Sequence, residues 1–220
     1  MNQFLTIYND FMFKLIIKYT LIFAIIFLYN NYFFYANNYG TNEIIIDSDL
    51  SFEEAISGTI APPDLINNLM IINVEYFSFD NKLHRGQLVI NKIIEKDIVE
   101  LFELIKQNKF PVKSVIPIVK YDWSDCISML ENNTSCFNYR TVSGTNKLSN
   151  HAFGIAIDIN PMQNPYKFKN FVSPKGATYN IKKAGTISEK SEITKFLLHR
   201  NWNWGGYYKS IKDWQHFDKK

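Results

Sequence analysis

The chain has 220 residues, 46% of them hydrophobic and 20% charged, enough for one good core and a single folded domain. A formal net charge of +3 says little about partners, and no helix-turn-helix, zinc-finger or RNP pattern supports a nucleic-acid partner. The charge is nonetheless unevenly spread: residues 37–139 carry 8 Lys/Arg against 15 Asp/Glu, whereas residues 140–220 carry 14 against 5. Such a basic half is either a solvated lysine-rich face or an attractor of anionic polymer.

Lys14 and Lys18 precede an apolar run from Tyr19 to Tyr29, then Asn30-Asn31 and a second apolar run, Tyr32 to Ala36. A positive flank followed by roughly 11 apolar residues has the proportions of a signal peptide. Left uncleaved, residues 11–36 are nearly long enough to anchor the chain in a bilayer. Residues 1–36 are therefore expected to be a signal peptide or N-terminal membrane anchor. The rest is then exported, periplasmic or extracellular, and attached to the cytoplasmic membrane if the segment is retained. Export would permit a disulfide between Cys126 and Cys136, with two unpaired thiols as the equal alternative.

Residues 37–60 are acidic and polar and read as a linker, leaving 61–220 as the folded domain. Ala61-Pro62-Pro63-Asp64 suits a turn into a short helix. Residues 71–77 and 86–90 read as strands around a turn at Phe79–Lys82. Asp97 can cap a helix that buries Ile98, Leu101, Phe102 and Ile105. Residues 115–118 suggest an edge strand, because Pro117 cannot donate to a ladder. Residues 132–140 are polar and turn-rich. Residues 155–159 alternate as a strand, 161–186 read as loop, and Ser188 can cap a last helix carrying Ile193, Phe196 and Leu197. Trp214 to Phe217 closes the domain as a short strand. The mixture, without a strict βα repeat, is α+β.

Two stretches hold the chemistry: Ser149-Asn150-His151-Ala152-Phe153-Gly154-Ile155-Ala156-Ile157-Asp158 and Asp213-Trp214-Gln215-His216. His151, Asp158 and His216 supply the three N or O donors that a catalytic zinc takes while keeping a position for water. Asp213 remains to handle protons as general base. His151 and Asp158 are seven apart, so they reach one metal only if the chain turns between them, and Gly154 allows that turn. Arg140 can hold a substrate carboxylate or steady an oxyanion. Trp202 and Trp204 read as core residues or as a substrate platform. Taken singly each signal is weak; the combination points to peptide-bond hydrolysis.

The pattern S-x-H-x-x-G-x-A-x-D followed by [DE]-x-x-H resembles the zinc D-alanyl-D-alanine carboxypeptidases and L-alanyl-D-glutamate endopeptidases. That group includes vancomycin-resistance dipeptidases and carboxypeptidases and phage endolysins. Gly86 to Asn91, Asn132 to Ser135, Phe137 to Arg140, Asp158 to Pro161, Asn164 to Tyr166 and Trp204-Gly205-Gly206 extend the likeness over most of residues 70–220. Many members carry Glu where this chain has Asp213; Asp occurs in the subgroup with the Trp-Gly-Gly block. The resemblance implies a small single α+β domain of the hedgehog/DD-peptidase kind, with a central antiparallel sheet bearing one Zn2+ per chain. By motif position His151, Asp158 and His216 are the ligands, Asp213 the base and Arg140 the substrate or transition-state contact, a catalytic residue with Asp213; Ser149 and Trp204 are expected as further substrate contacts. The implied substrate is the peptide stem of peptidoglycan, cut by a monomeric carboxypeptidase or endopeptidase. The rival is a catalytically silent wall-binding domain with a structural zinc.

Overall fold

The structure, a computed structural model, describes Met12, Lys18, residues 20–31 and residues 44–220. It divides into two units, Met1–Glu43 and Ile44–Lys220. In the first, residues 20–31 are helical (α1), and Leu21, Phe23, Ile25 and Phe27 are exposed. Among the described residues no helix is long and apolar enough to cross a membrane. The remainder of the expected export segment, residues 1–36, lies outside the described residues.

The second unit is built around a nine-pair antiparallel hairpin, β2 (Leu69–Phe77) and β3 (Leu83–Asn91), in register from Leu69↔Asn91 to Phe77↔Leu83. Strand alternation sends Ile72, Val74, Tyr76, Leu88 and Ile90 into the main core, and Leu69 and Val89 into a smaller second core with Ala55, Ala61 and Phe137. Across the main core lies α4 (Glu95–Gln107), whose Ile98, Leu101, Phe102 and Ile105 are buried as the 3.6 spacing predicts. It starts two residues before Asp97. The cap function falls to Asn91, whose side chain accepts from the Ile93 N–H at 3.1 Å and opens a 3-10 turn, Lys92–Ile94, into the helix.

The linker expectation needs correction. Residues 44–60 belong to the folded unit: β1 (Ile45–Ile46) pairs in parallel with β3, and α2 (Phe52–Ala55) carries a complete Ser51/Glu54 capping box. The polar residues that suggested a linker satisfy buried partners instead. Gln87 Oε1 accepts from Ser48 Oγ at 2.8 Å and from the Leu50 N–H at 2.7 Å. Asp47 receives Tyr76 OH and lies 3.0 Å from His84 Nδ1.

The expected α+β character is present, but not one central antiparallel sheet. Among the described residues the strands form four small sheets: β1-β3-β2; β10 (Lys212–Asp213), β7 (Tyr166–Phe168) and β8 (Phe171–Ser173) in that order; β6 (Ala156–Asp158), β11 (His216–Lys219) and β9 (Trp202–Trp204) in that order; and β4 (Ser114–Val115) with β5 (Asn133–Thr134). β4 (Ser114–Val115) ends before Pro117 and pairs in parallel with β5 (Asn133–Thr134), a strand inside the stretch expected to be turns. The supposed loop 161–186 contains a hairpin, β7 (Tyr166–Phe168) and β8 (Phe171–Ser173), turned at Lys169 with φ 52°. Its strands are only three residues long between prolines, too short for alternation to show. After α3 (Pro63–Ile66) and α5 (Asp125–Leu130), the last helix is α6 (Glu192–His199), with Ser191 rather than Ser188 at the N-cap position and no side-chain cap hydrogen bond. Ser188 instead offers its carbonyl to Ser191 Oγ and Thr194 Oγ1, each at 2.7 Å. β9 (Trp202–Trp204), β10 (Lys212–Asp213) and β11 (His216–Lys219) complete the unit. Cys126 is exposed and Cys136 buried, both as free thiols.

One polar cluster joins distant parts of the chain. Asp97 accepts from Trp202 Nε1 and Lys219 Nζ, both at 2.8 Å, and burial is outweighed by these donors and by Arg200, which hold its carboxyl below the usual range. Asp97→Ala leaves the buried Trp202 Nε1 unpaired and Lys219 Nζ with the Arg200 carbonyl alone, and is expected to lower unfolding stability by about 1–3 kcal/mol, read from the urea midpoint. An unchanged midpoint would remove Asp97 from the account.

Candidate metal centre

The centre is assembled by one register. β11 pairs antiparallel with β6 (Ala156–Asp158), setting His216 opposite Asp158, Phe217 opposite Ile157 and Asp218 opposite Ala156. Phe217 and Ile157 lie in the main core. His216 and Asp158 meet across the ladder, with His216 Nδ1 3.0 Å from Asp158 Oδ1.

His151 arrives on a separate turn. Ser149 caps the 3-10 helix Asn150–Phe153, accepting from the His151 N–H at 3.3 Å, and Gly154 ends it with φ 65°. The predicted turn between His151 and Asp158 is therefore present. Glycine is required twice over at 154: the left-handed φ, and a Cβ that would lie 2.8 Å from the Asn91 backbone nitrogen. The Asn91 N–H donates to the Gly154 carbonyl at 2.8 Å, tying the turn to the end of β3.

A bridge between Ser135 and Asp158 brings Cys136 alongside. The Cys136 carbonyl is 2.5 Å from His151 Nδ1, and a carbonyl can only accept, so Nδ1 carries the proton and Nε2 faces the centre. Nε2 lies 3.3 Å from Asp158 Oδ2 and 3.2 Å from His216 Nδ1. One donor atom from each of the three residues thus falls within 4.8 Å of the others, forming a group that can hold a metal ion. On the far side, His216 Nε2 is 3.5 Å from Asp218 Oδ1. Asp218 is held in turn by Asn150 Nδ2 at 2.8 Å and by Asn203 Nδ2 at 3.1 Å, the latter directly opposite it on β9. Carboxylates behind ligating imidazoles fix tautomer and orientation.

The electrostatics suit a cation. Burial pushes Asp158 up, but the charges and hydrogen bonds of His151 and His216 win and hold its carboxyl far below the usual range. Burial pulls His216 down, yet its hydrogen bonds to Asp158 and Asp218 raise it to about 10. In the metal-free chain an imidazolium therefore balances the carboxylates. Asp213 differs from these. Burial raises it to about 6, opposed by His216 and reinforced by Asp158, and its Oδ1 is buried with no protein partner. Gly205 lets it sit there: a Cβ at 205 would lie 2.3 Å from the Asp213 carbonyl oxygen and 2.8 Å from its Cβ. The donor set and the unpartnered carboxylate beside it fit a zinc ion with a proton acceptor at its edge.

The other expected site residues are placed differently. Arg140 joins the region through its backbone, accepting from the Ser149 N–H at 3.0 Å. Its guanidinium pairs with Asp125 at 3.0 Å, while its Nε is buried and unpartnered. Ser149 and Trp204, expected as substrate contacts, are only 5% and 4% exposed. Ser149 holds the His151 turn. Trp204 stacks on Phe217 in the core and donates from Nε1 to the Trp214 carbonyl at 3.0 Å. Sequence reading overlooked Asp218, although period-two alternation on β11 puts it on the face of His216. Asn160 and Asn164 lie in the blocks that carry the resemblance, where no role was read for them. Asn164 Nδ2 donates to the Ile159 and Gly185 carbonyls, and its Oδ1 accepts from Ile187 N–H, stapling the chain just beyond Asp158.

With this geometry in hand, residues 143–219 match the family model described as D-alanyl-D-alanine carboxypeptidase. The matched stretch contains the three candidate ligands and Asp213; Arg140 lies outside it. No curated protein and no solved structure matches the chain. Over the matched stretch the chain is similar to a peptidase family.

His151→Ala is expected to abolish stoichiometric zinc, and Asp218→Asn to keep one zinc per chain while weakening it about 10–100-fold, both by metal titration. Full zinc in the first variant would break the ligand assignment. The raised Asp213 also has a sign for stability. Its folded value lies above its unfolded value of 3.8, so its contribution is complete below about pH 4 and is lost as pH rises through about 6. The metal-free Asp213→Asn variant should therefore melt above wild type at pH 7.5, the gap closing towards pH 4; a gap independent of pH would contradict the assignment.

Proposed function

We propose that the chain is a zinc metallopeptidase that hydrolyses a peptide bond in the stem peptide of peptidoglycan. The observation that carries this reading is the convergence of His151 Nε2, an Asp158 carboxylate oxygen and His216 Nδ1 beside the unpartnered carboxylate of Asp213. The match of residues 143–219 to a D-alanyl-D-alanine carboxypeptidase model supports the bond type.

In this reading His151, Asp158 and His216 hold the zinc. Zinc supplies two things when bound: it lowers the pKa of a water to about 7, and it polarises a carbonyl. The chain's own residues do the rest. Asp213 accepts a proton and returns it to the leaving amine, for which its buried, unpartnered Oδ1 and raised proton affinity suit it. His151 and His216 are locked by Cys136 and Asp218, so that neither imidazole reorients during turnover. Arg140 is the residue assigned to a substrate carboxylate or a developing oxyanion, a role in which its guanidinium would be shared with Asp125. Among the described residues three protein donors rather than four converge, which favours an enzyme over a silent wall-binding domain. A stem-peptide substrate places the enzyme outside the cytoplasmic membrane, with residues 1–36 as its export signal or anchor, acting as a monomer.

The test is digestion of purified muropeptides with and without a zinc chelator, read by mass spectrometry. Loss of one terminal D-alanine marks a carboxypeptidase; cleavage beside the lactyl-linked L-alanine marks an endopeptidase. Asp213→Asn should retain zinc and lose hydrolysis by at least about 100-fold. Cleavage indifferent to the chelator, or none with any muropeptide, would overturn the proposal.

A further inference from the structure

The β7–β8 hairpin presents a surface that the catalytic reading does not use. Residues 161–188 carry five lysines, Lys167, Lys169, Lys175, Lys182 and Lys183, and no Asp or Glu. All five are exposed, and among the described residues none has a carboxylate within ion-pair distance. At the hairpin's end Phe168 and Phe171 face each other across the two-residue turn Lys169-Asn170, 40% and 61% exposed. The Lys169 ammonium sits 5.3 Å from the Phe168 ring centroid. The hairpin is also fixed to the site: β7 pairs with β10, placing Tyr166 opposite Asp213 and Lys167 opposite Lys212.

We propose that this hairpin is a membrane-docking arm, seating Phe168 and Phe171 in the interface of an anionic bilayer with Lys167 and Lys169 against the lipid phosphates. Each half of the surface constrains the partner. Unpaired lysines favour a negative partner and gain from the surface potential of anionic lipid. Phenyl rings carry no polar atom, and burying them out of water is favourable only against apolar matter. A soluble polyanion answers the lysines and leaves both rings wet, whereas an anionic bilayer answers both. Because β7 is bonded to the strand bearing Asp213, docking would hold the candidate site at the membrane surface. The inference does not depend on the metal or on the peptidase reading.

The experiment is hydrogen exchange on the full chain with three additions: vesicles of equal phosphatidylglycerol and phosphatidylcholine, vesicles of phosphatidylcholine alone, and soluble polyphosphate. Internal comparison separates the hairpin from α1, which is present throughout. Amides of residues 167–172 should slow at least about tenfold with the anionic vesicles only, and the effect should fade as salt is raised. Phe168→Ser/Phe171→Ser and Lys167→Glu/Lys169→Glu should each lose that protection while the β2–β3 amides keep theirs, showing an intact fold. Equal protection by phosphatidylcholine, equal protection by polyphosphate, or no protection by any addition would each overturn the proposal.

Discussion

The pairing of His216 with Asp158 across β11 and β6 is the constraint on which the candidate centre rests. The same ladder that aligns these two residues sets Phe217 against Ile157 in the core on one side and Asp218 against Asn203 on the other. A one-residue slip of β11 would expose Phe217 and turn His216 inward, away from Asp158, so hydrophobic burial and site geometry enforce one register. His151 is then added by a turn whose shape depends on Gly154, tied to β3 through the Asn91 N–H, on Ser149, tied to the Arg140 carbonyl, and on the Cys136 carbonyl next to the Ser135–Asp158 bridge.

Around that pair the chain gathers more buried charge than a core tolerates without compensation. Asp158, Asp213 and Asp218 surround two imidazoles, and in the metal-free chain a protonated His216 supplies the balancing cation. Asp158 and Asp218 are stabilised by direct partners. Asp213 leaves its Oδ1 without a partner, and its carboxyl is pushed towards neutrality by burial. Local stability is thereby lowered at the one carboxylate that the proposed chemistry needs unencumbered, a pattern expected where function rather than folding sets the arrangement.

Much of this was legible in the sequence, for identifiable reasons. The ligand triplet and Asp213 could be named because each sits in a short motif whose residue types match metal chemistry, and Gly154 because a spacing of seven demanded a turn. The helix carrying Ile98 to Ile105 and the β2–β3 hairpin showed through their periods. What stayed hidden depends on partners far away in the chain. Asp47 and Ser48 read as linker because nothing local reveals that Gln87, Tyr76 and His84 receive them. Asp97 looked like a cap, since its partners Trp202 and Lys219 are more than a hundred residues distant. Ser149 and Trp204 looked like substrate contacts because motif position does not report burial. The hairpin of β7 and β8 was masked by prolines and three-residue strands.

X-ray absorption at the zinc edge of the purified, zinc-loaded protein addresses the central claim most directly. The account predicts two imidazole nitrogens at about 2.0–2.1 Å and carboxylate or water oxygen at about 2.0–2.2 Å, with no sulfur shell. One imidazole should be lost in His151→Ala and one in His216→Ala. A sulfur contribution at about 2.3 Å, from Cys136 or Cys126, or an imidazole shell unchanged in either variant, would contradict it.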